Sequence, residues 1–482
     1  MAIINISQAE RGTPEWWLAR LSRRLTERGR DWKIYDDYYH RRQRTDQYLT
    51  AKLLEAFGAT FKGLSINYCS VVVDALAERL TVQGFNFADD AGAASAAWDI
   101  WQRNNLDALF ARGLRNGLAM GEFSLIVWVD ETGAPTIHVE DGRTVIVAAD
   151  PADPRRRRAA LKRWWDDDTG RHLATLYLPD AIYKYQSAGT TTRSSTWERR
   201  SVQGEPWPLP NALGVVPVVA IPNKPDLLGV GVSELVDIIP IQDAINANAV
   251  SALLAGQFSA FPQKYGINIE LETDPDTGKA TFVPVSDPGR LQTFPPPNPG
   301  EPEVKLGQFA ASDLNGYIAF HEMHVQAMAT ISRTPPHYFL GNAGVFPSGE
   351  ALRAAEAGLT SKALARQHDD GDPVEEAMRL AFRLAALSPR ASSDDAGRFQ
   401  KWANLTAAET GWRDPETRTE SEHIDALMKQ QALGIPDEIL WERVPYSPQE
   451  IVRIKAIKAA EQPATDPGAM TPADMPIVVP GA

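Results

Sequence analysis

The segment Gly229-Val-Gly-Val-Ser-Glu-Leu-Val-Asp-Ile-Ile-Pro-Ile-Gln-Asp-Ala-Ile-Asn246 marks the point where strand-like sequence gives way to a helix. From Ser233 onward, apolar residues recur every three to four positions for about 25 residues, a spacing that predicts one long helix. Proline lacks the N–H that a helix interior needs, so Pro240 must either kink this helix or lie at its start. The segment therefore predicts a long helix directly after a strand-rich region.

Downstream of this helix, the sequence alternates between loops and further helices. The predicted order is a loop-rich stretch at 262–307, a helix at 312–332, a proline-marked break at 334–347, an alanine-rich helix at 348–387 kinked near Pro373, and further helices to about 460. The residues from 461 onward are rich in proline and lack periodicity, which predicts a mobile tail.

Upstream of the quoted segment, helices come first and strands follow. Apolar spacing predicts helices at 14–29, 31–43, 65–80, 93–103 and 106–120. Strands are predicted at 122–129, 136–140, 161–165, 172–178, 181–186 and 215–221, several of them separated by Asp-and-Gly turns. These short spacings leave no room for helical crossovers, so an antiparallel β-meander and an α+β fold are expected.

Composition limits the class of protein. The chain has 482 residues, 43% of them apolar and 23% charged, which is typical of a folded globular protein. No signal peptide or membrane helix is predicted, so a soluble intracellular product is expected. The net charge is −13, whereas proteins that grip DNA through its phosphates carry a basic surface. Either DNA is irrelevant to this protein, or the protein handles DNA without holding it.

Motifs for catalysis, cofactors and metals are weak. The chain has no phosphate-binding G-x-x-x-x-G-K-[ST] loop, and His321 and His324 are three residues apart instead of the four of a zinc helix. The single cysteine, Cys69, lies in an apolar run and is interpreted as a buried, inert thiol. Arg155–Arg158 could contact phosphates, but a solvated loop is favoured. Arg41–Arg44 could contact phosphates or form ion pairs with a neighbouring subunit. We therefore predict no catalytic residues, cofactor or metal.

Several segments, in this order, resemble the portal proteins of tailed double-stranded-DNA phages, particularly long-tailed phages of actinobacteria. The segments are Asn67–Leu80 with Val82–Phe85, Trp101–Leu106, Gly229–Leu235 with Ile241–Asn246, Thr334–Gly341 and Pro347–Leu352. The resemblance covers about residues 15 to 450 and is weakest at 262–307. It implies the portal fold, with an α/β wing, a two-helix stem, a loop-rich clip, a tunnel loop, a long kinked helix and a helical crown.

The resemblance divides the chain into segments. They are the wing at 1–230, the first stem helix at 231–261, the clip at 262–308, the second stem helix at 309–333, the tunnel loop at 334–347, the long wing helix at 348–390, the C-terminal region or crown at 391–460 and the tail at 461–482. The stem-helix candidates are Ser233, Glu234, Leu235, Gln242, Asp243 and Asn246. The candidates for a DNA gate are Pro335, Pro336, Tyr338, Phe339, Leu340, Gly341, Asn342, Gly344, Val345 and Phe346.

The functional expectation is a non-enzymatic ring of twelve subunits at one capsid vertex, assembled in the host cytoplasm. DNA would pass through the ring without sequence-specific binding. Terminase, head-completion or adaptor proteins, and the major capsid and scaffolding proteins would dock on it. Two alternatives stay open: a hydrolase that uses paired carboxylates, and another head protein such as a shell subunit. For the gate segment itself, the alternative is a plain helix–helix connector with its aromatic side chains packed inward.

Overall fold

The computed structural model describes residues 4–5, 9–44, 46–48, 55, 65–87, 90–189, 196–260, 264–267, 275–276, 305–308, 313–339, 349–416, 420–436, 440–441, 444 and 448–461. The chain forms two compact units. The first comprises Met1–Trp32, Asp74–Ser233 and Pro347–Ala482, and the second comprises Lys33–Val73 and Glu234–Phe346. Each unit is therefore assembled from segments that are distant in sequence.

The described helices agree broadly with the predicted ones. They are α1 (Pro14–Tyr39), α2 (Cys69–Ala77), α3 (Ala91–Arg103), α4 (Leu106–Met120), α5 (Ile239–Ala260), α6 (Asn315–Ser332), α7 (Gly349–Ala386), α8 (Ser393–Ala403), α9 (Glu420–Ala432) and α10 (Pro448–Glu461). Two short 3-10 turns, Asp46–Tyr48 and Pro336–Tyr338, accompany them. No described helix has the length and apolar character that a membrane-crossing segment requires.

The described strands form four antiparallel sheets. They are β1 (Ile4–Asn5), β2 (Val82–Asn86), β3 (Glu122–Val129), β4 (Pro135–Asp141), β5 (Val145–Asp150), β6 (Asp153–Asp166), β7 (Arg171–Tyr177), β8 (Ala181–Ser187), β9 (Thr196–Arg199), β10 (Leu209–Pro210), β11 (Val218–Pro222), β12 (Lys264–Ile267), β13 (Lys305–Gln308) and β14 (Glu409–Trp412). The largest sheet has the order β1-β9-β8-β7-β6-β5, with β10 paired to β8, and the others are β11-β3-β4, β12-β13 and β14-β2. The mixture of helices and antiparallel sheets confirms the α+β class.

The core of the first unit lies between α1 and the seven-stranded sheet. Trp17, Leu18, Leu21 and Leu25 are buried on one face of the helix. They pack against inward-facing strand residues such as Leu161. The spacing of the four helical residues places them on one stripe, as the sequence predicted.

The three-stranded sheet has a separate covering of helices. Helix α4 and the long helix α7 both pack against β3 and β4, and α7 also packs against β11. A Cβ atom built on Gly113 or Gly117 of α4 would lie 2.7 and 2.6 Å, respectively, from the ring of Phe123. Those two glycines therefore let α4 approach the strand closely.

The prediction of two helices over 14–43 was wrong, because α1 runs without a break from Pro14 to Tyr39. Gly29 was expected to end the first helix. Glycine in a helix interior makes the helix about 1 kcal/mol less stable than alanine does. Two contacts of the neighbouring Arg28 offset this cost. Its guanidinium lies 4.2 Å from the centre of the Trp32 ring, one turn further along the same helix, and pairs with Glu122 of β3 at 2.8 Å.

The loop predicted at Arg155–Arg158 was also wrong, because these residues lie in β6, where Arg157 is opposite Ala149 of β5. Solvent exposure was predicted correctly for the other three arginines. Arg157 donates to the backbone oxygen of Val216 at 3.2 Å and pairs with Glu376 at 2.7 Å. The sequence pattern did not reveal β5. Because β5 provides an edge for hydrogen bonding, the arginine run can adopt the extended conformation of a strand despite its charge.

The C-terminal region is not wholly helical, as had been predicted for 391–460. Strand β14 pairs with β2 across more than 300 residues of sequence, with Thr410 opposite Phe85. Four residues such as Glu-Thr-Gly-Trp are too few for a periodicity signal, so only the presence of the β2 edge makes them a strand.

The long helix α7 is continuous from Gly349 to Ala386 and contains Pro373. Its predicted range of 348–387 is confirmed to within a residue or two. The start of α10 at Pro448 likewise fits a proline at the first helical position. The predicted mobile tail at 461–482 lies outside the described residues, apart from Glu461.

In the second unit, α5 and α6 pack against each other, and β12 and β13 form a ribbon between them in sequence. Helix α5 begins at Ile239, six residues later than predicted, which places Pro240 in its first turn. This outcome matches the second of the two alternatives for Pro240. The range predicted for α6 is confirmed to within three residues.

Candidate functional site

The paired helices α5 and α6 are held together by buried apolar side chains and by one polar contact. Ile245 and Val250 of α5 are buried, as are Val325 and Met328 of α6. The Asn248 side-chain amide donates to the backbone oxygen of Tyr317 at 2.9 Å. The two helices therefore form a single structural element.

The charge content of this pair is unusually low. Helix α5 has 22 residues and a single charged side chain, Asp243, and α6 has 18 residues and a single carboxylate, Glu322. Neither helix contains lysine or arginine. Phosphate binding by proteins depends largely on those two residues.

The carboxylate of Asp243 accepts hydrogen bonds from two phenolic hydroxyl groups. The hydroxyls of Tyr38 and Tyr48 each donate to its carboxylate at 2.5 Å. Partial burial and the nearby carboxylate raise the pKa of Tyr38 well above its usual range and that of Tyr48 to about 12. Both tyrosines are therefore protonated donors at neutral pH, and they tie the end of α1 and a 3-10 turn to the start of α5.

The same end of α5 holds an extended segment of backbone. The Gln242 side chain accepts from Tyr68 N and donates to Ile66 O, both at 2.8 Å, and Asn246 Oδ1 accepts from Ile66 N at 2.9 Å. Gln242 and Asn246 are almost fully buried. These side-chain hydrogen bonds satisfy backbone groups of the segment that would otherwise pair within a helix or a sheet.

This arrangement corrects the helix predicted at 65–80, which begins only at Cys69. In residues 65–68, side chains of α5 satisfy backbone groups that would otherwise need helical partners. Cys69 itself is fully buried, and burial raises its pKa to about 12. The interpretation of Cys69 as a buried thiol is confirmed.

Tyr68 also contacts α6 and the turn that follows it. Its hydroxyl lies 3.3 Å from His321 Nε2, and its ring meets that of Phe339 edge-on at 5.5 Å between centres. Burial lowers the pKa of His321, so the imidazole is neutral at pH 7 and its Nε2 can accept a hydrogen bond from the Tyr68 hydroxyl. We name the six residues Tyr38, Tyr48, Tyr68, Gln242, Asp243 and Asn246 the polar cluster.

The predicted stem residues lie in three places. Gln242, Asp243 and Asn246 belong to the polar cluster, and Glu234 and Leu235 are buried in the turns before α5. Ser233 belongs to the first unit, where its hydroxyl donates to Ala119 O at 2.5 Å. Sequence reasoning missed Tyr38, Tyr48 and Tyr68 as members, because no local signal identifies their distant partners.

The gate candidates are only partly described. Pro335 and Phe339 are buried, and Pro336 and Tyr338 are partly buried in the 3-10 turn that follows α6. Leu340, Gly341, Asn342, Gly344, Val345 and Phe346 lie outside the described residues. The inward packing of Phe339 on Tyr68 is what the connector alternative expected of this residue.

The two histidines singled out as weak metal candidates do not share a site. His321 faces the Tyr68 hydroxyl, whereas His324 Nδ1 lies 2.8 Å from Phe320 O. Among the residues with described positions, no group of three or more histidine, cysteine, aspartate or glutamate side chains could hold a metal ion.

Comparisons with known proteins agree on one family. The family model described as phage portal protein, SPP1 Gp6-like, matches residues 32–464. The portal protein of Mycobacterium phage D29 is 28% identical over 440 residues, covering 86% of this chain and 84% of that protein. The portal protein of Mycobacterium phage L5 is 27% identical over 406 residues, covering 80% and 76%.

Among solved structures, the neck of an empty GTA particle computed with C6 symmetry aligns over 81% of this chain and 95% of that chain. The TM-score is 0.38 and the sequence identity is 16%. That similarity is too low to carry a structural inference.

Proposed function

This chain belongs to the phage portal proteins of the SPP1 Gp6-like family, and from that premise we propose that twelve copies form a ring around an axial DNA channel at one capsid vertex. DNA is packaged and later ejected through this channel. The chain is a structural protein of the virion, and the family match favours this function over the hydrolase and shell-subunit alternatives.

The observation that supports DNA passage best is the absence of lysine and arginine from the paired stem helices α5 and α6. Double-stranded DNA carries one charge per roughly 1.7 Å of its axis, and basic side chains along the channel would bind it by releasing counterions. A neutral or mildly acidic wall, in a chain with a net charge of −13, lets the duplex slide.

The partners follow from the segments of the portal fold. The clip at 262–308 presents a surface to terminase during packaging and to head-completion or adaptor proteins afterwards. The wing and crown contact the major capsid and scaffolding proteins during assembly in the host cytoplasm. The portal itself has no enzymatic activity and reads no DNA sequence.

The polar cluster serves to couple the stem to the gate. Tyr68 contacts α5 through its backbone, α6 through His321 and the gate segment through Phe339. A displacement of either stem helix is therefore transmitted to the turn at 336–338. Because Phe339 is packed inward on Tyr68, the gate candidates to which we assign DNA contact are Tyr338 and those beyond Phe339, from Leu340 to Phe346.

The first experiment is negative-stain electron microscopy of the purified chain. Class averages with a central channel and about twelve-fold symmetry are expected. A uniform small particle that persists across protein and salt concentrations would contradict the proposal.

The gate requires a genetic test. A deletion within Pro335–Phe346 that spares ring assembly is expected to reduce DNA packaging or retention in particles. A deletion of similar length in the tail at 462–482 is the control. Normal packaging and retention by the gate deletion would remove the assignment.

A further inference from the structure

An exposed apolar tip projects from the loop between β11 and α5. Within it, Leu227 is 99% exposed, Leu228 73%, Val230 55% and Val232 42%. Single exposed leucines are common in soluble proteins, but a contiguous group of branched apolar side chains marks an interaction surface. The tip, residues 227–232, contains no charged residue, although 23% of the chain is charged.

Hydrogen bonds hold this tip in one conformation. Asp226 Oδ1 accepts from the backbone N of Leu228 at 2.9 Å and of Val230 at 2.8 Å, and Asp226 N donates to Val230 O at 3.2 Å. Gly229 takes a φ of +75° at the turn. The leucines are therefore presented by a closed turn, which lowers the entropy cost of binding.

The base of the tip is fixed as firmly. Asn223 N donates to Gly121 O, and Val232 N donates to Asn223 O, both at 2.8 Å. The Asn223 side chain donates to Val232 O at 2.7 Å and accepts from Arg366 at 3.2 Å. These hydrogen bonds fix the backbone that carries two solvent-exposed leucines. Such a fixed apolar surface is suited to binding a partner.

The stem carries a surface of matching chemistry. A groove of about 400 Å³ lies along α5 and α6, and its apolar lining includes Ala249, Ala252, Leu253, Leu314 and Ile318. Leu253, Leu314 and Ile318 are each at least 40% exposed. Among the residues that the structure describes, no lysine, arginine, aspartate or glutamate lines the groove, so an apolar side chain can enter it without meeting a charge.

We propose that Leu227 and Leu228 of one subunit insert into the α5–α6 groove of the neighbouring subunit. A closed ring of identical subunits requires a heterologous interface, in which two different and complementary patches occur on every copy. The convex tip and the concave groove form such a pair. The proposal rests on the ring assembly stated under Proposed function, and the occupant of the groove is a second copy of this chain.

The first test replaces both leucines with aspartate in the full chain. Leu227→Asp/Leu228→Asp is expected to reduce the yield of rings at least tenfold, measured by light scattering and electron microscopy, while circular dichroism stays unchanged. The matched control is Leu433→Asp, because Leu433 is another leucine with 84% exposure outside both surfaces. Rings at the wild-type yield in the double variant would overturn the inference.

The second test identifies the groove as the receptor. Leu228→Cys combined with Ala252→Cys is expected to give a disulfide-linked ladder of oligomers on mild oxidation, whereas either substitution alone stops at dimers. The native Cys69 is fully buried and does not interfere. Rings that yield no ladder would overturn the inference but leave the portal function intact, whereas failure of the unmodified chain to form rings would contradict the proposed function itself.

Discussion

The hydroxyl of Tyr68 and Nε2 of His321 lie 3.3 Å apart and join residues separated by 253 positions in the sequence. The same tyrosine ring packs edge-on against Phe339. One side chain therefore connects the segment before α2, helix α6 and the end of the 3-10 turn that follows α6.

Removal of the Tyr68 side chain should uncouple these parts. Tyr68→Phe keeps the ring contact and loses one hydrogen bond, so a loss of about 1 kcal/mol in the free energy of unfolding is expected. Tyr68→Ala also leaves a void beside Phe339 and should cost about 2–4 kcal/mol. Chemical denaturation of the two variants measures the difference.

The functional readout for Tyr68 is DNA retention. Tyr68→Ala should still form rings and should release packaged DNA more readily, whereas Tyr68→Phe should behave like the unmodified protein. Equal DNA retention by both variants would argue against coupling of the stem to the gate.

Asp243 is expected to be sensitive to truncation. Asp243→Ala leaves the hydroxyls of Tyr38 and Tyr48 without their acceptor and should lower the free energy of unfolding by about 1–3 kcal/mol. Asp243→Asn retains an acceptor oxygen and should lose less. A variant Asp243→Ala as stable as Asp243→Asn in denaturation would show that the hydroxyls find other partners.

Gly231 tolerates no larger side chain. A Cβ atom at this position would lie 2.0 Å from Gly121 O, and a backbone atom cannot swing aside. Gly231→Ala should therefore destabilise the first unit by about 1–3 kcal/mol and displace the apolar tip.

The control for this substitution is Gly29→Ala. Gly29 lies inside α1 with open space around it, so alanine there should stabilise the protein by about 0.5–1 kcal/mol. Thermal unfolding of Gly231→Ala and Gly29→Ala measures the two changes in stability. A neutral Gly231→Ala would mean that the backbone at Gly121 can relax.

Asp370 should make stability depend on pH. It is buried in α7, and burial raises its pKa to about 7 from the ordinary value of 3.8, despite the opposing charge of Arg366. The folded state therefore holds a proton that the unfolded state releases, so stability falls as the pH rises from about 4 to about 7 and is lowest above that range.

Asp370→Asn should remove this dependence. At pH 8 the variant should be more stable than the unmodified protein by up to about 4 kcal/mol, and at pH 4 the two should be nearly equal. Denaturation at the two pH values measures the effect. A constant difference between the proteins across this range would mean that Asp370 is ionised in the fold throughout.

The sequence predicted the fold class and most helices because apolar side chains at helical spacing leave a periodic signal. Leu18, Leu21 and Leu25 of α1 are examples, and all three are buried as expected. The ordered motifs from Asn67 to Leu352 also identified the family. Local sequence did not predict β5 and β14, because their pairing depends on the edges of strands elsewhere in the chain.

The segment at 65–68 shows most clearly what local sequence cannot predict. The apolar periodicity predicted a helix from 65 onward, yet Gln242 and Asn246 bind backbone groups of 65–68 and the helix begins only at Cys69. Periodicity describes one element at a time and contains no information about which distant side chain will meet it.

The sequence by itself therefore determined the fold class, the order of most helices and the family, since each of these depends on residue types and their local spacing. Only the tertiary structure decided that three tyrosines meet the start of α5, that Phe339 faces inward and that Leu227 and Leu228 are held in solvent. The tyrosine contacts and the packing of Phe339 join residues that are far apart in the sequence, and the free energy of such contacts outweighs local preference. The loop that carries the two leucines is held by local bonds and also by the bond from Asn223 N to Gly121 O.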